Sequence, residues 1–480
     1  MEKLLLLGMI FMTTGVYAQK AGEIRVEPYI FETNGGQKID AEFGRILVPE
    51  KHTNPDAQLI ELAFVRFKST SSTSKFPIIY LAGGPGGSGI SLAKGPRFPL
   101  FMAMREAGDV IVLDQRGTGL SKPNLACQEK LMYPLDKIGT KTDLQALYSE
   151  RSRSCAEFWK KEGIDLTAYN TLENAEDIEL LRKSLRAEKI VLWGSSYGSH
   201  LALAFIRRHE ESVDRAVLSG IEGFDDTFKL PGQFDRQLKL VNQLVKNDPQ
   251  LGNKIADFVG LVKRVLNKLD KQPVEIDTQY GKVKIGKFDL QQITITGLGD
   301  RAGKEALPAL FNSLDKNDLS SFLIKYVAQL VAEQRRDSIG SAMAFATDCA
   351  SFGTDARLRR IAREGRTSIL GDSPDFPFPF VCKAWGKLDL GNSFRTPFKS
   401  RVKVLFFSGS LDGKTPPGNV DAILPNFPNS IHVLIEGAGH GNELFVSSTT
   451  IKDVMLDFMR DQPITDRVIH LPTFKFQQLR

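Results

Sequence analysis

The feature that most restricts the fold of this chain is a serine between two glycines, in the segment Gly194-Ser195-Ser196-Tyr197-Gly198. An apolar run from Lys189 to Trp193 precedes this segment, and a stretch of helical character from Leu201 to Ile206 follows it. A strand that turns sharply into a helix needs glycines at the flanking positions, because side chains there would collide with the neighbouring helix or strand. The pattern therefore predicts a strand, a strained turn that exposes the Ser196 hydroxyl, and a helix.

Segments of strand character recur along the chain, with segments of helical character between them. The strand candidates are short apolar runs next to glycine-containing loops: Phe76 to Leu81, Asp109 to Leu113, Lys189 to Trp193, Arg215 to Leu218, Arg401 to Phe407 and Ile431 to Ile435. Between Thr171 and Arg186, apolar residues return at helical spacing, which predicts a crossover helix before the strand at Lys189. This alternation predicts an α/β fold with a mostly parallel sheet and helices on both faces.

The character of the chain changes after Gly220. From about Asp225 to Phe398 amphipathic helical stretches dominate, and the strand pattern resumes at Arg401. We therefore expect a large helical cap inserted between core strands. The predicted organisation is a signal peptide at residues 1–18, the first part of the core at 19–224, the cap at 225–398 and the second part of the core at 399–480.

The first residues have the pattern of a secretory signal peptide. One lysine precedes the apolar stretch Leu4 to Met12, and small and polar residues lead from there to Ala18. The apolar stretch is too short to span a bilayer comfortably, which disfavours a membrane anchor. We expect cleavage after Ala18 and export of the mature chain, to the periplasm or out of the cell, with no membrane association after cleavage.

Four cysteines in an exported chain can pair in three ways. Cys127 and Cys155 flank a segment of the N-terminal half, whereas Cys349 and Cys382 flank one in the C-terminal half, so the sequential pairing is the economical one. Each such disulfide would add roughly 3 to 4 kcal/mol of stability by chain entropy. No cysteine has a partner at the short spacing of zinc sites, so we expect no metal and no cofactor.

The charge pattern bears on one class of partner. The chain has 63 basic and 57 acidic residues, but no block of consecutive basic residues that would follow a phosphate backbone. The sequence therefore gives no support to nucleic-acid binding. It leaves the oligomeric state open.

Two more residues of catalytic type follow predicted strands. Asp412 lies just after the strand at Arg401 to Phe407, and His440 lies in a glycine-rich loop after the strand at Ile431 to Ile435. Because active groups collect at the carboxyl ends of parallel strands, we expect Ser196, Asp412 and His440 to meet there. An alternative places Asp225 or Asp226 as the acid. The order Ser, Asp, His is that of α/β-hydrolases.

Two backbone amides are candidates for stabilising an oxyanion near Ser196. The N–H of Tyr197 stands at the start of the predicted helix, and the loop Gly83 to Gly89 follows an early strand, with Gly84 as the second candidate donor. A phosphate-binding loop is the alternative interpretation of these glycines. It is disfavoured because the Lys-Ser/Thr ending of a P-loop is absent.

Taken together, the motifs GGPGGSG, DQRGTGLS, GSSYGS, GSLDGKTP and GAGHG resemble those of the prolyl and tripeptidyl aminopeptidase family of α/β-hydrolase serine peptidases. The resemblance covers nearly the whole mature chain and is stronger for the exported tripeptidyl branch. It implies a Ser-His-Asp mechanism through an acyl-enzyme, and peptide substrates with free N-termini. The family binds the substrate amino group with carboxylates, for which Glu222 is the candidate here, with Asp225 or Asp226 as substitutes.

One departure from the family pattern is Ala82, where a histidine often opens the HGGPG motif. This change leaves the backbone donor intact. The leading hypothesis is an exported serine aminopeptidase, and the alternative is a carboxylesterase that uses the same three residues, because fold and catalytic residues do not fix the acyl group. A binding protein without catalysis is a third hypothesis, and the complete set of catalytic residue types argues against it.

Overall fold

The computed structural model describes residues 20–73 and 76–479, so the predicted signal peptide at 1–18 lies outside the described residues. The strands are β1 (Ile24–Glu32), β2 (Lys38–Pro49), β3 (Leu59–Phe67), β4 (Ile78–Leu81), β5 (Val110–Leu113), β6 (Ile190–Ser196), β7 (Val213–Ile221), β8 (Val274–Thr278), β9 (Gly281–Ile285), β10 (Lys403–Gly409), β11 (Ser430–Glu436) and β12 (Val468–His470). All but β8 and β9 form one sheet of ten strands.

The order of the strands across this sheet is β1-β2-β3-β5-β4-β6-β7-β10-β11-β12. The strands from β5 to β12 in that order pair in parallel, whereas β1, β2, β3 and β5 pair antiparallel. Every residue of β4 and β5 is buried, as expected for parallel strands covered on both faces. The predicted α/β fold with a mostly parallel sheet is confirmed.

Helices cover both faces of the sheet. Along β4, Ile78 and Tyr80 face one apolar layer, while Ile79 and Leu81 face the other. The helices that precede β7 are α1 (Gly89–Ala93), α2 (Phe98–Met104), α3 (Lys141–Lys161), α4 (Thr171–Ser184) and α5 (Tyr197–His209), and those that follow β10 are α15 (Gly418–Asp421), α16 (Glu443–Val446) and α17 (Thr449–Met459). The layer of Ile78 includes residues of α2 and α17, and that of Ile79 includes residues of α4 and α5.

The chain between β7 and β10 forms a mainly helical region. Its helices are α6 (Pro231–Asn247), α7 (Phe258–Lys271), α8 (Lys287–Gly297), α9 (Arg301–Asp315), α10 (Phe322–Gln334), α11 (Ala342–Ser351), α12 (Asp355–Gly365), α13 (Cys382–Trp385) and α14 (Asn392–Arg395). Residues of α6 to α10 share an apolar core with the hairpin β8–β9, which the sequence did not predict. None of the helices in the described ranges is long and apolar enough to cross a bilayer.

A second apolar cluster joins α3 to α11 and α13. Both disulfides lie in it: Cys127 is bonded to Cys155, and Cys349 to Cys382. This is the sequential pairing predicted from the order of the cysteines. The segment with Cys127 and Cys155 therefore packs against helices that come much later in the chain.

Candidate active site

The turn between β6 and α5 holds Ser196 in a strained conformation. Its φ is 54°, in the left-handed region that non-glycine residues rarely adopt. A Cβ on Gly194 would lie 2.4 Å from the carbonyl oxygen of Gly198, and one on Gly198 would lie 2.0 Å from that of Leu81. Only glycine fits at either position, so the two glycines let the strand turn directly into the helix and present Ser196 at the sheet edge.

The ends of three parallel strands bring together the three residues predicted to meet. Ser196 is the last residue of β6, Asp412 follows β10, and His440 follows β11. Nε2 of His440 lies 3.0 Å from Oγ of Ser196, and its Nδ1 lies 2.9 Å from Oδ2 of Asp412. This chain of contacts can take a proton from the serine hydroxyl while the carboxylate holds the imidazole in one tautomer.

All acceptor positions of the Asp412 carboxylate are filled. Oδ1 accepts hydrogen bonds from the backbone amides of Lys414 and Thr415, each at 2.8 Å, and Oδ2 accepts one from the Thr415 hydroxyl at 2.7 Å. Complete burial works to raise the pKa of Asp412, but the nearby His440 and these hydrogen bonds together lower it. The carboxylate therefore stays ionised although water does not reach it.

The alternative acids, Asp225 and Asp226, have other partners. Asp225 accepts hydrogen bonds from the amide and hydroxyl of Thr354, at 2.8 and 2.7 Å, at the start of α12. Asp226 pairs with Arg357 at 2.7 Å. Both carboxylates therefore connect the loop after β7 to α12. Asp412, in contrast, is the carboxylate that lies beside His440.

The glycine-rich loop after β4 packs directly against Ser196. A Cβ on Gly83 would lie 2.9 Å from the Cβ of Ser196, and Gly84 lines the same cavity as Ser196. Asp114 holds this loop, because it accepts hydrogen bonds from the hydroxyl of Ser88 at 2.6 Å and the amide of Ile90 at 3.1 Å. These contacts hold the loop in a position from which one of its own backbone amides can face Ser196.

Glu222 lies in the wall of the cavity that Ser196 and His440 line, directly after β7. The Ser199 hydroxyl connects Glu222 to α5. This hydroxyl accepts a hydrogen bond from the Glu222 amide at 3.0 Å and donates one to the Ser196 carbonyl at 2.6 Å. The Glu222 side chain is buried, and its Oε1 has no hydrogen-bond partner among the described residues. One carboxylate oxygen is thus desolvated and unsatisfied within the cavity.

Two further carboxyl groups and a lysine share this wall, and the sequence did not predict them. Lys229 Nζ lies 3.1 Å from Oε2 of Glu222, and its backbone amide donates to Asp375 at 2.8 Å. Burial and the neighbouring Glu222 raise the pKa of Asp348 well above its usual value, and burial raises that of Asp375 to about 7. Burial opposes the charge of Lys229, but the Glu222 and Asp375 carboxylates outweigh it and raise the lysine pKa.

We call Glu222, Asp348, Asp375 and Lys229 the acidic cluster. Fully ionised, it would hold three negative charges against one positive charge. Asp348 stands next to Cys349, and Asp375 opens the segment DFPFPF, but neither position differs in pattern from many other acidic residues. No local sequence pattern marks Asp348 and Asp375 as site residues, because only the fold of the inserted region brings them close to Ser196.

Two parts of the chain match models of known protein families. The model of the alpha/beta hydrolase fold family matches residues 77–267, and that of the TAP-like protein family matches residues 378–468. The chain is 27% identical over 187 residues to serine protease Hip1 of Mycobacterium tuberculosis, covering 37% of this chain and 35% of Hip1. It is 30% identical over 196 residues to tripeptidyl aminopeptidase of Streptomyces lividans, covering 37% of this chain and 35% of that protein.

A third relative matches over a greater length. Putative hydrolase YuaR of Escherichia coli is 27% identical over 453 residues, which cover 86% of this chain and 85% of YuaR. The matches to Hip1 and tripeptidyl aminopeptidase, in contrast, span about a third of those proteins. The family-model match at 77–267 contains Ser196 and Glu222, and the TAP-like match contains Asp412 and His440.

Proposed function

We propose that this chain, which belongs to the α/β-hydrolase family, is a serine aminopeptidase that cleaves short peptides with free N-termini. The observation that carries this proposal is the acidic cluster, which lines one cavity with Ser196 and His440. A nucleophile and three carboxyl groups, of which Glu222 is buried and the other two are partly buried, suit a substrate that has a positive charge near its scissile bond.

In the proposed reaction Ser196 attacks the scissile carbonyl carbon while Nε2 of His440 takes the hydroxyl proton. The resulting oxyanion is stabilised by the backbone N–H groups of Tyr197 and Gly84. His440 then returns the proton to the leaving amine, the C–N bond breaks, and an acyl-enzyme remains on Ser196. Water attacks this ester with His440 again acting as base, which releases the N-terminal fragment and restores the serine.

The acidic cluster would bind the α-ammonium group of the substrate. Oε1 of Glu222 has no partner among the described residues, and the Asp348 carboxyl has no hydrogen bond there either. Carboxylates with little access to water need a compensating cation or a proton, and Lys229 alone cannot neutralise the three in this cluster. An incoming ammonium group supplies the missing charge and hydrogen-bond donors, whereas an acetylated N-terminus supplies neither the charge nor enough donors.

Another part of the cavity wall is apolar and mostly aromatic, formed by Phe228, Phe234, Ile295, Phe376 and Phe378. The cavity has a volume of about 710 Å³, within the range of sites that enclose small ligands. This volume and lining suit a fragment of a few residues with apolar side chains between the acidic cluster and Ser196.

The test compares chromogenic mono-, di- and tripeptide amides, each with a free and with an acetylated N-terminus. We expect cleavage of the free amines only, no cleavage by Ser196→Ala, and no labelling of that variant by a fluorophosphonate. Equal cleavage of free and acetylated substrates, or turnover of esters alone, would contradict the proposal and favour the carboxylesterase.

Glu222→Gln and Asp226→Asn form a matched pair for the ammonium site. Each change removes one charge from the same loop, but Asp226 pairs with Arg357, whereas Glu222 has a free oxygen in the cavity. We expect Glu222→Gln to lower kcat/KM for free amines by about 10- to 100-fold, the value of a hydrogen bond to a charged group. Asp226→Asn should leave it within a few-fold, and equal effects of both variants would refute the assignment of Glu222.

We also propose that the protein acts after export, in the periplasm or outside the cell. Its two disulfides support this, because such bonds persist in oxidising compartments. Fractionation and N-terminal sequencing of the native protein test this. An exported chain that begins at Gln19 is expected, and an intact Met1 on an intracellular protein would contradict the proposal.

A further inference from the structure

A lysine of the inserted region is completely buried behind the proposed catalytic residues. Lys304 lies in the first turn of α9, its exposed fraction is 0%, and its Nζ donates a hydrogen bond to the carbonyl oxygen of Leu298. No carboxylate lies within ion-pair distance of this ammonium in residues 20–73 and 76–479. Such burial is unfavourable for a lysine. The fold therefore keeps a charged hydrogen-bond donor at this position although it lowers the stability of the protein.

The carbonyl that Lys304 holds belongs to the short connection between α8 and α9, Leu298 to Asp300. The amide of His440 donates a hydrogen bond to the carbonyl of Gly299 at 2.8 Å. A Cβ on Gly413, next to Asp412, would lie 2.2 Å from the carbonyl oxygen of Leu298. The connection is therefore packed against both the loop of Asp412 and the loop of His440, with no space for either to shift towards it.

The charged groups around Lys304 come from several elements. Asp412 and Lys414 face it from the loop after β10, Asp300 from the cap of its own helix, and Glu443 from α16. Burial lowers the pKa of Lys304 to about 8, and the three carboxylates only partly offset this effect. The side chain is thus an ammonium at neutral pH and becomes a neutral amine as the pH rises through about 8.

We propose that Lys304 is a positioning residue for Asp412 and His440: its ammonium fixes the connection Leu298 to Asp300, which in turn holds the main chain of His440 against Ser196. The inference rests on the proposed roles of Ser196, His440 and Asp412. Lys304 touches neither the serine nor the cavity, so it acts through the backbone and through its charge. The carboxylates of Asp412, Asp300 and Glu443 surround the point where that charge resides.

The charge gives this role a distinct pH signature. An ammonium donates a stronger hydrogen bond to the Leu298 carbonyl than a neutral amine does. Raising the pH through about 8 removes this charge from the native protein. The hydrogen bond that fixes the connection then weakens, so the rate falls on the alkaline side.

The test uses Lys304→Met and Lys304→Arg, with Lys268→Met as the matched control. Lys268 also donates to backbone carbonyls, those of Leu314 and Asp315 at 2.9 and 3.0 Å, but at the opposite end of α9. Fluorophosphonate labelling of Ser196 is measured from pH 5 to 10, with kcat, KM and Tm for a free-amine substrate. Labelling of the native protein, absent in Ser196→Ala, establishes the proposed nucleophile independently of Lys304.

We expect Lys304→Met to lower kcat by about one to two orders of magnitude, with KM within about twofold, as for a small displacement of catalytic groups. Lys304→Arg, which stays charged, should restore kcat and lose the alkaline limb near pH 8. Lys268→Met should lower Tm alone. The proposal is overturned if Lys304→Met behaves as Lys268→Met does, or if native labelling shows no alkaline limb between pH 7 and 10, a result that needs no variant to fold.

Discussion

At the scale of single residues, the Thr415 hydroxyl contacts both Asp412 and His440. It donates to Oδ2 of Asp412 at 2.7 Å and lies 2.9 Å from Nδ1 of His440, so its oxygen can share the proton of that nitrogen. Thr415→Val keeps the shape and removes the hydroxyl. Loss of a hydrogen bond to a buried carboxylate should lower kcat by about tenfold, as measured by steady-state cleavage of a peptide amide.

Thr415→Ser is the matched control, because it keeps the hydroxyl and loses only a methyl group. Its kcat should stay within about threefold of the native value, since a hydroxyl in the same place renews both contacts. If the valine and serine variants had equal kcat, the hydroxyl would have no role in holding His440, and the contact would be incidental to catalysis.

Residues of the site differ in how far the sequence could predict them. Ser196, Asp412 and His440 follow core strands, and parallel strands end at one edge of the sheet, so local patterns were enough to bring them together. Asp348 and Lys229 reach the site through the packing of the inserted region, and no local pattern encodes that packing. Glu222 was predicted from its place after β7, but its unpaired oxygen depends on contacts that only the folded chain shows.

At the scale of elements, a buried ion pair joins the loop after β5 to α4. The Arg116 guanidinium donates to both oxygens of Asp177 at 2.7 Å, and the exposed fractions of the two side chains are 0% and 1%. Arg116 also donates to the carbonyls of Glu50 and Ala168. Asp177→Asn leaves the buried guanidinium with one carboxylate, that of Glu173 at 4.0 Å, and should cost about 3 kcal/mol of unfolding free energy, as measured by urea denaturation.

An exposed pair gives the comparison for this prediction. Glu275 and Lys282 pair across the hairpin β8–β9, with side chains exposed by 42% and 67%. Glu275→Gln should change the unfolding free energy by less than about 1 kcal/mol, because solvent screens such pairs. An Asp177→Asn variant as stable as Glu275→Gln would show that the buried pair contributes nothing beyond its packing.

The predicted elements agree with the structure where their signal was a continuous apolar run or a clear helical period. The strand predicted at Asp109 to Leu113 is β5, and the crossover helix predicted at Thr171 to Arg186 is α4. The antiparallel strands β1 to β3 were not among the predicted ones, and much of β1 is exposed, so it has no apolar run. The hairpin β8–β9 has two strands of five residues, which are too short for a clear period.

At the scale of the whole molecule, the two disulfides close loops of nearly equal length but lie in different places relative to the cavity. Cys127–Cys155 spans 28 residues and Cys349–Cys382 spans 33, so chain entropy gives each a contribution of about 4 kcal/mol. The second disulfide joins α11, which carries Asp348, to the helix that follows the cavity segment of Asp375 and Phe378. The first has no cavity residue within its loop.

Replacing each disulfide by a pair of serines therefore separates stability from substrate binding. Both double variants should lose similar Tm, but only Cys349→Ser with Cys382→Ser should raise KM for free-amine peptides, by about tenfold or more, because it releases two carboxyl groups of the ammonium site. Fluorophosphonate labelling of Ser196 should stay near the native rate in both, since neither loop carries Asp412 or His440. Equal rises in KM for both variants would mean that the loss of binding comes from lower general stability, and not from the disulfide beside the cavity wall.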